Sequence, residues 1–168
     1  DLIQLLKSKK NKSERNGMVE CHKRDGVALT KFIFWIKNKV RNKKITELDA
    51  IKYLDKKREK NEKFFSLSFP TIAGTGSNGA IVHYRANKKT NKLIKTSDLF
   101  LVDSGAQYMD GTTDVTRTIC FNIPSTEQIE MYTRVLKGHI AVASSKIKYG
   151  ETGKKLDFLA RQPLQEVN

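Results

Sequence analysis

The stretch Leu101–Thr118, LVDSGAQYMDGTTDVTRT, places Asp103, Asp110 and Asp114 in a segment that otherwise alternates apolar and polar residues like β-structure. The chain around it carries a formal net charge of +14, so three carboxylates gathered here require a reason. If the segment reverses symmetrically about Tyr108 and Met109, Asp103 faces Asp114 with Cβ atoms about 5 Å apart. Two carboxylates so placed repel unless they share a proton or hold a cation, and a pair of metal ions about 3.5–4 Å apart fits between them. A second register, with Asp110 and Gly111 as a two-residue turn, keeps Asp103 and Asp114 on one face but about four residues out of step. Spacing leaves both registers open, and Asp110 is a turn residue in either. On pattern alone, carboxylates on adjacent strands are more commonly separate surface groups than ligands.

Composition narrows the classes. With 168 residues, 38% hydrophobic and 8% aromatic, the chain can bury a core, and one globular domain is the expectation. No apolar run approaches the roughly 18 residues of a membrane span, and the first residues lack the apolar core of a signal peptide, so a soluble cytoplasmic protein is expected. Cys21 and Cys120 have neither the number nor the spacing of a disulfide framework or zinc site, and read as reduced core thiols. Residues 1–63 hold nineteen Lys plus Arg against nine Asp plus Glu, whereas residues 64–168 hold thirteen against nine. The positive excess is therefore concentrated in the first third.

That third reads as helix. DGVALTKFIFWIKNKV puts Val27, Phe32, Trp35 and Ile36 near one face, and TELDAIKYLDKKREKNEKF opens with Thr46 and Asp49 as first-turn groups. Solvated helix faces account for its lysines. A nucleic-acid footprint is the rival from another class, but no reading motif and no aromatic residues interleaved with the basic ones support it.

From Phe64 the texture changes to short β-prone runs, FFSLSF, AIVHY, LFLVDS and VTRTICFN, separated by turn residues. Residues 126–145 return to helix, with Ile129, Tyr132, Leu136 and Ile140 on one side. Helices, then a run of strands, then helices predict an α+β architecture. GTGSNG (74–79) matches the dinucleotide pattern GxGxxG, yet a strand-like run follows it where a phosphate-binding helix would be needed, so it reads as a loop between strands. In AIVHY, Ile81, His83 and Arg85 share one strand face and Ala80, Val82 and Tyr84 the other. By pattern alone His83 is an ordinary strand histidine, and His22 and His139 sit in predicted helices. The first residue is Asp1, and helix-spaced Leu156, Leu159 and Ala160 run on towards Asn168, so the chain is expected to be a piece of something longer with a site divided between the parts.

LVDSGAQYMDGTTDVTRT resembles the metal-binding hairpin of the aminopeptidase P (Xaa-Pro aminopeptidase) family of pita-bread metallopeptidases. LLKSKKN, RDGVALTKFIFW, FFSLSFPTIAGTGSNGAIVHY, TRVLKGHIA and LDFLARQPL follow the order expected for its eukaryotic cytosolic type. The resemblance covers almost the whole chain, with extra Lys and Asn between the motifs. It implies the N-terminal part of a single pita-bread catalytic domain: 1–63 mainly helical, 64–123 antiparallel strands with the metal-binding hairpin, and 124–168 helices, the remainder of the domain missing.

By that resemblance Asp103 corresponds to a bidentate carboxylate on one metal and Asp114 to the carboxylate bridging both. His83 corresponds to a histidine that contacts the bound peptide and is not a ligand. Thr116 could donate a hydrogen bond to a carboxylate, or be a plain strand threonine. Oxygen ligands beside one histidine suit manganese, the family's usual metal, as a pair of divalent ions. The family's other ligands, one histidine and two glutamates, and a further histidine in a VHEGP-like segment, are not present, so residues 1–168 alone are expected to be inactive. The implied reaction is metal-assisted hydrolysis of the bond between an N-terminal residue and a following proline. The implied partners are such a peptide, the other half of the domain as a separate chain or a continuation, and a second copy in a homodimer, with no membrane. A non-peptidase pita-bread relative and a basic nucleic-acid-binding module are the alternatives.

Overall fold

The structure, a computed structural model, describes residues 2–148 and 150–165. Asp1 and residues 166–168, on which the reading of an interrupted chain partly rests, lie outside the described residues. Two compact units divide between Asn122 and Ile123.

The first unit opens with a short helix, α1 (Leu2–Ser8), followed by the long α2 (Lys12–Lys39) and by α3 (Glu47–Glu59). Each of the two longer helices starts where its own sequence satisfies the free N–H groups. Asn11 and Glu14 form a capping box on α2, and Thr46 and Asp49 form one on α3, as the first-turn reading of that pair anticipates. Six short strands follow: β1 (Phe64–Leu67), β2 (Ile72–Thr75), β3 (Phe100–Ser104), β4 (Ala106–Tyr108), β5 (Gly111–Thr112) and β6 (Val115–Ile119). They make two antiparallel sheets, β2-β3-β6 and β1-β4-β5. In the second unit α4 (Thr126–Ser144) begins at a Ser125–Gln128 capping box, and α5 (Gly153–Gln165) packs on it, Arg134 donating to the Pro163 carbonyl at 3.2 Å.

The main core lies between α2, α3 and the sheet β2-β3-β6. Phe32 and Ile36 of α2, Ala50 and Leu54 of α3, and Phe100, Val102 and Ile119 of the sheet are all buried. Val27 does not share the inward face assigned to it with Phe32 and Ile36. It is half exposed, because the buried stripe of α2 runs through Cys21, Asp25, Ala28, Leu29, Phe32 and Ile36 at helical spacing and leaves Val27 on the flank. Cys21 is a buried free thiol, while Cys120 is only half buried.

Neither expected hairpin register holds. Asp103 pairs with Thr116 on the β3-β6 ladder, and Tyr108 pairs with Gly111 on β4-β5, which puts the two-residue turn at Met109 and Asp110. The tip is held from outside the hairpin. Tyr108 is buried and its hydroxyl donates to Asp25 of α2 at 2.7 Å, while Asp110 is paired with Arg24 and, at 3.0 Å, with Lys63. A side chain at Gly111 would lie 2.6 Å from the Cys21 sulfur, so the backbone there approaches α2 as only glycine permits. Midway, the hairpin passes from one sheet to the other at Gly105, where a Cβ would stand 1.9 Å from the Thr113 carbonyl oxygen.

AIVHY is not a strand. Gly76–Ala80 forms a short 3₁₀ helix directly after β2, and residues 81–84 form a turn closed by the Tyr84 N–H on the Ile81 carbonyl at 3.1 Å. The segment has no ladder partner. Tyr84 is instead drawn inward by its hydroxyl, which leaves Ile81, Val82 and His83 on the outside. GTGSNG is accordingly the end of β2 plus a 3₁₀ turn, in place of the loop between strands expected for it.

Candidate functional site

Alternation along β3 decides which carboxylate faces what. Phe100, Val102 and Ser104 point into the core, so Leu101 and Asp103 face the other way. Asp103 stands in a row across three strands with Ile72 on one side and Thr116 on the other. These residues, with Leu101 and the segment Gly79–His83, line a cleft of about 310 Å³. Asp103 and His83, twenty residues apart in the chain, thus share one cavity.

Asp103 is half buried, and its Oδ1 is buried without a hydrogen-bond partner among the described residues. A carboxylate oxygen removed from water and given no donor is costly, and a cation is the partner that would satisfy it. Asp114 lies just before β6 and is exposed. With Thr116 opposite Asp103, Asp114 is the diagonal neighbour, a relation that on a regular ladder separates residues by about 7–8 Å, wider than the direct pairing expected. Among the described residues no group of three or more His, Cys, Asp and Glu gathers as a metal site. Of the two aspartates only Asp103 is among the residues that line the cleft.

His83 is exposed and adopts a left-handed backbone, φ 55°, which is disfavoured for a residue with a side chain. What surrounds it is anchored by Glu47, the first residue of α3, to which the sequence reading gives no part. Glu47 is fully buried. Its Oε1 accepts from the Thr75 N–H at 2.8 Å and from Asn78 Nδ2 at 3.0 Å. Its Oε2 accepts from the Tyr84 hydroxyl at 2.8 Å, from the Lys92 N–H at 3.1 Å and from Asn78 Nδ2 at 3.1 Å. An acidic residue beside a helix N-cap reads as a surface group, so nothing local separates Glu47 from its neighbour Asp49.

The hairpin tip has its own electrostatics. Burial pushes the Asp25 carboxyl up, but two hydrogen bonds and the charge of Arg58 more than offset it, leaving Asp25 below the usual carboxylate range. Burial, with Asp25 accepting its proton, holds the Tyr108 hydroxyl well above the ordinary tyrosine value. Burial would also raise Asp110, yet Lys63 and Arg24 bring it below its usual value. Asp110 is therefore a structural anchor at the turn, away from the cleft.

The sequence matches metallopeptidase family M24 over residues 16–168. A probable Xaa-Pro aminopeptidase P from Paracoccidioides brasiliensis (strain Pb03) is 47% identical over 158 residues, which are 93% of this chain and 26% of that protein. The chain thus spans about a quarter of the length of the curated relatives it matches. The crystal structure of X-prolyl aminopeptidase from Caenorhabditis elegans, described as a cytosolic enzyme with a di-nuclear active site, superposes with a TM-score of 0.93 at 39% identity, covering 100% of this chain and 28% of that one. X-Pro aminopeptidase from Thermotoga maritima gives 0.84 at 25% identity, covering 99% and 44%. Helices packed on antiparallel sheets, in the order these enzymes share, bear out the pita-bread expectation for the part present. A cleft that joins a half-buried, unpartnered aspartate to a histidine, on a fold matched this closely, is where the evidence from sequence and structure meets: the chain belongs to metallopeptidase family M24.

Proposed function

We propose that this chain is the N-terminal part of a pita-bread catalytic domain whose complete protein is a metal-dependent aminopeptidase. It would cleave the bond between an N-terminal residue and a following proline. The observation that carries the reading is the unpartnered Oδ1 of Asp103 in the cleft it shares with His83, on a chain akin to Xaa-Pro aminopeptidases. Asp103 and Asp114 would hold two divalent ions, and their hard oxygen donors suit manganese. Bound there, such ions supply a water of lowered pKa and polarisation of the scissile carbonyl.

The chain's own groups set the geometry around that chemistry. Asp103 presents its free oxygen from a fixed strand position, while His83, at the exposed lip of the same cleft, meets the peptide. Ile81 and Val82 form the apolar border beside it, Val82 being 83% exposed. The remaining ligands and the base that takes the water's proton come from the rest of the domain. A cytosolic location and a homodimer complete the proposal. The nematode enzyme's description supports the first, and the family resemblance supports the second.

Metal content tests the ligand assignment separately from turnover. In the full-length protein, Asp103→Asn and Asp114→Asn should each lower bound manganese, measured by elemental analysis after gel filtration, and abolish cleavage of an Xaa-Pro peptide. Full metal content in both variants would refute the assignment.

A further inference from the structure

Every group that faces the Glu47 carboxylate is a donor: two backbone N–H groups, an amide NH₂ and a hydroxyl. An ionised carboxylate is an acceptor at all its positions and matches that set, whereas a glutamine amide would turn an NH₂ against it. The four tethered residues, Thr75, Asn78, Tyr84 and Lys92, bracket the cleft-lining run Gly79–His83 from both sides. Beyond the 3₁₀ helix, residues 81–83 have few ties of their own. The Ile81 N–H bonds the Asn78 carbonyl at 3.2 Å and the Tyr84 N–H bonds the Ile81 carbonyl, while Ile81, Val82 and His83 are exposed.

A left-handed histidine persists only where its surroundings over-determine it, and here they converge on one buried carboxylate at a helix N-terminus, where the α3 dipole favours negative charge. We infer that Glu47 is a positioning residue for His83: it fixes the 75–92 segment so that the histidine stands at the lip of the cleft containing Asp103. This rests on the reading that His83 meets the peptide. Glu47 lies on the core side of the segment and acts through it, without touching substrate.

The test uses the full-length, manganese-loaded enzyme and an Xaa-Pro peptide, with Glu47→Gln, His83→Ala and the double variant. Glu47→Gln should lower kcat about tenfold or more, as a displacement near 1 Å at a reacting centre does, with bound manganese unchanged. In the His83→Ala background the same substitution should cost nothing further, because residues acting as one unit are not additive. Ile36→Val, a change in the buried core that lines neither the cleft nor the Glu47 carboxylate, supplies the comparison for a fall in Tm without a fall in kcat. Should Glu47→Gln fail to fold, Tyr84→Phe withdraws one donor and should give a smaller loss that also vanishes with His83→Ala. Additive losses, or a kcat for Glu47→Gln no lower than that of a core variant with equal Tm, would overturn the inference and leave the role of His83 standing. Full turnover in His83→Ala would overturn both.

Discussion

Asp25→Asn would leave the Arg58 guanidinium in the core without the anion that balances it. Asp25 is 1% exposed and Arg58 0%. Arg58 donates to Asp25 through Nε at 2.7 Å and Nη2 at 2.9 Å, and the Tyr108 hydroxyl adds a third bond at 2.7 Å. Removing one partner of a buried pair costs about 3–5 kcal/mol. Asp55 also feels the Arg58 charge, which places the expectation near the lower end, about 3 kcal/mol. For a domain of 150–250 residues each kcal/mol moves Tm by about 2–4 °C, so a fall of about 6–12 °C is expected in the catalytic-domain transition, followed by scanning calorimetry on the full-length protein.

Two further readouts tie that loss to the ion pair. Arg58→Met in the Asp25→Asn background removes the stranded charge and should restore most of the Tm, since apolar replacement of a buried pair is often neutral or better. The Asp25 carboxyl is lowered in the folded state, so its contribution is present above the ordinary value of 3.8 and is lost as pH falls through the folded value. The parent should therefore lose stability below about pH 4 more steeply than Asp25→Asn does. A fall under about 2 °C, or no recovery in the double variant, would refute the view that this pair anchors the hairpin tip.

Gly105→Ala should prevent the hairpin from crossing between its two sheets, because the added Cβ meets the Thr113 carbonyl at 1.9 Å, and soluble full-length yield should collapse while Gly153→Ala, where the space is open, folds. His83→Gly should raise stability by about 1 kcal/mol through relief of its left-handed backbone, yet lower turnover with metal retained; a loss of bound manganese would show the histidine to be a ligand. Asp110→Asn should keep most of the activity and all of the metal, since its carboxylate is occupied by Arg24 and Lys63, and metal loss equal to that of Asp114→Asn would remove the distinction between the two aspartates.

Short-range chemistry was readable from the chain itself. The Thr46–Asp49 capping box lies within one turn, the alternation of Phe100–Ser104 is set by the strand's own period, and the helix expected over 126–145 is α4. The family was readable too, because LVDSGAQYMDGTTDVTRT and its companion motifs carry it. Tertiary structure decided the register and the setting of the site. The hairpin turns at Met109 and Asp110 because Arg24 and Asp25, more than eighty residues earlier, hold its tip, and no local pattern encodes a contact over that separation. AIVHY alternates like a strand, yet it finds no edge to pair with and is folded outward around Tyr84 by the carboxylate of Glu47. Strand propensity is realised only where a partner strand supplies the hydrogen bonds, and here the Ile81 and Tyr84 N–H groups bond the Asn78 and Ile81 carbonyls within a turn instead.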